Sequence, residues 1–116
     1  TDHGVEVVTT GQFGTIFADQ AQALATVLNE LVANSVEHGL ADRDGRIEVS
    51  ARREGLSMTV TVADDGVGFT PGTPMTGLGT QIVQQMVRGE LRGSIEWTPR
   101  EGGGTLVTLM INLDPA

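Results

Sequence analysis

Two periodicities alternate along this chain. Over Ile47–Arg52, Ile47, Val49 and Ala51 alternate with Glu48, Ser50 and Arg52, the period of two that gives a strand one dry and one wet face. After a turn at Glu54-Gly55 the alternation returns, with Met58, Val60 and Val62 against Thr59, Thr61 and Ala63, so the two runs predict a hairpin. Upstream, Leu24, Val27, Leu28, Leu31, Val32, Ser35 and Val36 follow the spacing of an amphipathic helix. Asp19, three residues before Gln22, reads as the Asp/Gln form of a capping box at its start, and Gly39 stops it near His38. A second helical stripe, Leu78, Ile82, Val83, Met86 and Val87, ends near Gly89. Apolar and β-branched runs predict a first strand over Val5–Thr9, broken by Gly11, and a short second one over Gly14–Phe17. Ser94–Thr98 and Leu106–Leu113 predict a last hairpin around Pro99–Gly104. The resulting order, β-β-α-β-β-α-β-β, predicts an α/β sandwich: a mixed, mostly antiparallel sheet with helices packed on one face.

One stretch has no period. Gly66 to Gly77 holds four glycines and two prolines and predicts a loop. At 116 residues the whole is one domain of ordinary size. The polar start Thr1-Asp2-His3-Gly4 has no signal-peptide pattern and reads as a cut boundary within a longer protein. Without cysteine, disulfides and thiolate metal sites are excluded. A net charge of −8 argues against non-specific nucleic-acid binding, and no apolar run is long enough to cross a bilayer. All seven cations are arginines, so contact to a phosphate falls to Arg, His, hydroxyls, backbone N–H groups or a metal ion.

Against this background three polar groups stand out. Glu30, Asn34 and His38 are four apart and stack on one side of the first helix, with Asn34 at the border of the apolar stripe. An asparagine carbonyl is a suitable ligand for magnesium, and a glutamate one turn away can hold or activate a water. Taken singly, all three also read as ordinary boundary residues of an amphipathic helix. Next, the phase of Val60 and Val62 sends Asp64 inward and Asp65 outward. An inward carboxylate needs a donor, and an adenine amino group is one. Gly66 and Gly68 let the backbone turn sharply and pass close to a flat base.

Gly77-Leu78-Gly79 opens the second helix, where the N–H groups of Gly79, Thr80 and Gln81 are available to anions. It is neither a P-loop nor a dinucleotide fingerprint. Gly102-Gly103-Gly104-Thr105 reads by itself as a turn entering a strand. Its functional alternative sets the Thr105 hydroxyl beside Asp64.

The order of these groups resembles that of a known family. Leu-Asn-Glu-Leu-Val-Ala-Asn-Ser-Val-Glu-His-Gly at 28–39, Asp-Asp-Gly-Val-Gly-Phe at 64–69, Gly-Leu-Gly-Thr-Gln-Ile-Val at 77–83 and Gly-Gly-Gly-Thr at 102–105 are similar to the successive nucleotide-binding boxes of the GHKL ATPase superfamily. The resemblance is greatest to the catalytic ATP-binding domain of two-component sensor histidine kinases, and Leu91-Arg92-Gly93-Ser94-Ile95-Glu96-Trp97 adds to it.

That resemblance implies a Bergerat-type fold binding ATP and Mg2+. It implies that Asn34 ligates the metal, with Glu30 near metal-bound water and His38 in the same box. It makes Asp64 the reader of adenine and puts Gly66 and Gly68 under the base. Gly77, Leu78, Gly79 and Thr80 fall at the phosphate end of a short lid, roughly 69–76, and Thr105 at the adenine end. Glu37 departs from the pattern, since many histidine kinases have a lysine or arginine there, and His38, the lid backbone or a partner would compensate.

The resemblance also implies a cytoplasmic, monomeric fragment of a longer kinase without direct membrane contact. Its partners would be a dimerisation domain bearing the phosphoacceptor histidine and a downstream response regulator. Two alternatives are an anti-sigma-factor serine kinase of the same superfamily and a non-catalytic nucleotide-binding or scaffold domain.

Overall fold

The computed structural model describes residues 5–36, 45–66 and 78–113. In chain order these form β1 (Val5–Gly11), α1 (Ala18–Asn34), β2 (Gly45–Glu54), β3 (Ser57–Asp64), α2 (Leu78–Arg88), β4 (Ser94–Pro99) and β5 (Thr105–Asn112). The strands make one sheet in the order β1-β2-β3-β5-β4. β1 runs parallel to β2 with Val7 opposite Ile47, and the other three pairings are antiparallel.

The alternating strands divide as their period requires. Ile47, Val49, Ala51, Met58, Val60, Val62, Val107, Leu109 and Ile111 are buried on one face and share a core with Ala23, Leu24, Val27 and Leu31 of α1 and Val83 and Val87 of α2. Both helices therefore cover the same face. The other face carries Glu48, Arg52, Thr59 and the hydrogen-bonded pair Ser50 and Thr61. The sandwich is thus the expected mixed sheet with helices on one side. Leu91, just past α2, is fully buried as well, although the helical stripe ended before it.

Two local expectations fail. Residues 14–17 form no strand; instead this connection is held by a side chain. The Arg53 guanidinium donates from Nη1 to the carbonyls of Phe13 (2.9 Å) and Thr15 (2.8 Å), and from Nε to Gly55 (2.9 Å). With their carbonyls on an arginine fork, Phe13 and Thr15 are not held by a neighbouring strand. The helix also starts before the capping box. Phe17 is its N-cap with no side-chain cap bond, the Ala21 N–H donates to the Phe17 carbonyl at 2.8 Å, and Asp19 lies inside the first turn, where its charge suits the helix dipole. At the other end, Ser35 and Val36 follow α1 as one wider turn, and the stop near His38 lies outside the described residues.

Arg53→Ala should lower stability by about 1–2 kcal/mol, the lower part of the range for charge-assisted bonds because two of the three acceptors are exposed. Urea denaturation measures this. Arg53→Lys should recover little, since an ammonium has no planar fork.

Candidate functional site

Two hydrogen bonds fix which end of each helix lies where. Gln20 Nε2 donates to the Asn112 carbonyl at 2.9 Å, anchoring the first turn of α1 at the last residue of β5. The Asn112 N–H donates to the Leu91 carbonyl at 3.1 Å, just beyond α2. So α1 begins where α2 finishes, and the helices are antiparallel. At the opposite end the side chain of Glu30 lies against Gly79 in the first turn of α2. From Gln20 to Asn34 the helix advances about 21 Å, and β5 returns from Asn112 to Thr105 over about 24 Å. The end of α1, the start of α2 and the Thr105 end of the sheet are thereby gathered at one pole.

Asp64 stands at that pole, opposite Thr105 in the β3–β5 register. Its phase turns it into the helix-covered face, and it is only 3% exposed. The carboxylate accepts two backbone N–H groups, from Gly66 at 3.0 Å and Thr105 at 3.3 Å. Both donors converge on Oδ1, and among the described residues no donor reaches Oδ2. Asp65 points the other way. Exposed, it accepts the Arg46 N–H at 2.9 Å, and its own N–H donates to the Arg46 carbonyl at 3.3 Å, which extends the hairpin.

Sequence reasoning did not single out Gly104. It is buried, has φ +100, and a Cβ built on it would lie 1.9 Å from the Asp64 carbonyl oxygen. The turn before β5 therefore presses its backbone onto that of Asp64. Its shape comes from the Arg100 N–H to Gly104 carbonyl bond (2.9 Å) and the Gly103 N–H to Arg100 carbonyl bond (3.0 Å). The signal was the glycine triplet, but nothing local distinguishes its third member.

On the helical side, Asn34 is the half-buried last residue of α1, one turn after the half-buried Glu30. Leu78 starts α2, and Thr80 is buried in its first turn. His38, Gly68, Gly77, Glu37 and the 69–76 lid lie outside the described residues. The structure thus joins Asp64, Gly66 and Thr105 directly, joins Glu30 to Gly79, and sets Asn34 at the same pole.

Among the described residues no group of three or more His, Asp, Glu or Cys side chains is placed to hold a metal ion. An Asn34 carbonyl on its own suits magnesium, which keeps several waters and takes most other ligands from phosphate oxygens. A cleft of about 80 Å³ also opens at this pole, lined by Arg46, Glu48, Ala63, Asp64, Asp65 and Arg100. Arg46, Glu48 and Ala63 belong to the helix-free face, and its volume falls well below the roughly 300–1,000 Å³ of ligand pockets. It is not where the candidate residues converge.

Known proteins resemble this chain in sequence and in fold. Residues 19–115 match the family described as histidine kinase-, DNA gyrase B-, and HSP90-like ATPase. The sensor histidine kinase PdtaS of Mycobacterium tuberculosis is 34% identical over 115 residues, covering 95% of this chain and 23% of the kinase. A blue-light-activated histidine kinase of Rhizobium johnstonii is 35% identical over 82 residues, covering 68% of this chain and 24% of its own length. Among solved structures, the histidine kinase domain of the Erythrobacter litoralis EL346 blue-light activated kinase superposes with a TM-score of 0.81 at 28% identity, covering 95% of this chain and 52% of that one. The catalytic domain of histidine kinase ThkA shares the fold, with a TM-score of 0.77 at 21% identity, covering 97% of this chain and 82% of that one. The chain thus spans about a quarter of the length of these curated relatives. It belongs to the histidine kinase-, DNA gyrase B- and HSP90-like ATPase family, and within it resembles the catalytic ATP-binding domain of sensor histidine kinases.

Proposed function

We propose that this chain binds magnesium ATP at the pole where α1 ends and α2 begins and that, as one module of a longer sensor histidine kinase, it presents the γ-phosphoryl group to a histidine on a separate dimerising helical domain. The observation that carries this reading is the Asp64 carboxylate, buried at that pole, with one oxygen held by two backbone donors and no donor from the described residues on the other. That second oxygen accepts the adenine amino group, while the N–H groups of Gly66 and Thr105 hold the opposite oxygen still. Preorganisation of this kind favours binding because the acceptor is already desolvated and fixed.

Further along, the Asn34 carbonyl holds magnesium, which when bound neutralises charge on the phosphates. Glu30 orients polar groups around that site, and the main-chain N–H groups of Gly79 and Thr80 receive phosphate oxygens at the positive end of α2. His38, Gly68 and Gly77 complete the boxes by family likeness. Such a module works in the cytoplasm, where its ATP is. A response regulator then takes the phosphoryl group from the histidine. By itself the chain is a monomer with little turnover, because in-line transfer needs an acceptor held close to the γ-phosphate.

Calorimetry with ATP, with and without magnesium, tests the binding step. Binding should strengthen with the metal, and Asn34→Ala should remove that gain while the metal-free affinity persists. Absence of binding in both conditions rejects the reading and leaves a scaffold domain. With the helical domain of the longer kinase supplied in trans, the label should be acid-labile and base-stable, as a phosphohistidine is. Acid-stable phosphoserine on a separate protein would point to the anti-sigma-factor type of kinase.

A further inference from the structure

We infer that Gly79 is a positioning residue for Glu30: its missing side chain forms the slot in which the Glu30 carboxylate lies across the first turn of α2. The placing of that carboxylate within a nucleotide site rests on the function proposed above; the slot itself does not.

A glycine at this position has no conformational explanation. Gly79 is the second residue of α2, and its φ lies outside the left-handed region where glycine is favoured. Within a helix, glycine is less favourable than alanine by about 1 kcal/mol. What a side chain there would meet is specific. A Cβ would lie 2.0 Å from Glu30 Oε1, 2.9 Å from Cδ and 3.3 Å from Cγ. All three atoms belong to the end of one side chain from the neighbouring helix, and none to backbone. By contrast, a Cβ at Gly104 meets main chain.

The end of Glu30 occupies the slot. Among the described residues no hydrogen bond or ion pair holds its carboxylate, and the space beside Gly79 is where it lies. A methyl group at position 79 can be accommodated if the end of Glu30 swings aside. The fold then loses little, and regains helix propensity, while the carboxylate leaves its place between α1 and α2.

The test is a two-position cycle on the 116-residue chain. With 13C-labelled glutamate and no nucleotide present, Gly79→Ala should shift the Glu30 carboxyl resonance without lowering Tm. In ATP titrations the magnesium-dependent gain in affinity should fall roughly three- to tenfold, the size of coupling between touching side chains. Glu30→Ala should reduce it similarly, and adding Gly79→Ala to Glu30→Ala should reduce it no further. An unmoved Glu30 resonance overturns the inference. So does an undiminished effect of Gly79→Ala in the Glu30→Ala background, because the glycine would then be admitting nucleotide directly. If the unaltered chain binds no ATP, the functional reading fails by itself and the resonance still decides whether the slot exists.

Discussion

Asp64→Asn should weaken ADP binding by about 10- to 150-fold, whereas Asp65→Asn should leave it within about twofold. The contrast arises because the two carboxylates have different partners. In the Asp64→Asn variant the amide oxygen can still accept the Gly66 and Thr105 N–H groups that now converge on Asp64 Oδ1. The amide NH2 would replace Oδ2, however, and present a donor to the adenine amino group, which is itself a donor. The loss is that of a charge-assisted bond, about 1.5–3 kcal/mol. Stability should change by less, since the substitution keeps both backbone partners and removes a buried charge. Asp65 is exposed and accepts the Arg46 N–H, a bond that an asparagine oxygen can also make. Fluorescence or calorimetric titration of the two variants decides the matter. A larger loss with Asp65→Asn would mean that adenine is read from the other face of the sheet.

Gly104→Ala should lower stability by about 2–4 kcal/mol, more than any other substitution in the glycine triplet. Its Cβ would approach the Asp64 carbonyl oxygen to 1.9 Å and the carbonyl carbon to 2.8 Å, and its φ of +100 is strained for any side chain. These are backbone atoms at the end of the central strand, paired with β2 on one side and β5 on the other, so relief requires the β4–β5 turn to lift off β3. That would draw the Thr105 N–H away from Asp64 Oδ1 and weaken nucleotide binding along with the fold. Gly102 and Gly103 also have positive φ, but a Cβ on either meets nothing within 4 Å. Alanine there should cost about 1 kcal/mol. Urea denaturation of the three variants ranks them, and equal losses would show that strain in φ, and not the contact with Asp64, governs the turn.

The sequence by itself determined whatever depends on local period. Strand alternation was enough to place Asp64 among the valines and Asp65 outside, because side chains along a strand must alternate between faces. The same logic located α1, α2 and both antiparallel hairpins within a few residues. It failed where a distant partner overruled a local preference. Thr15-Ile16-Phe17 has the composition of a strand, but the carbonyls of this connection go to Arg53, about forty residues away in the chain. The Asp19/Gln22 pair resembles a cap, but the helix is already under way at Ala18.

Tertiary structure alone decided how the candidate groups meet. No pattern within β1 says that it runs parallel to β2, since that pairing joins segments separated by a whole helix. Nor does anything near Gly79 show that Glu30 fills the space beside it, or anything near Gly104 that Asp64 lies beneath it. Those two contacts join residues 49 and 40 positions apart, respectively. Each exists because antiparallel helices and strands return the chain to the same pole, where the packing distance between elements, and not their periods, settles which residue must lack a side chain.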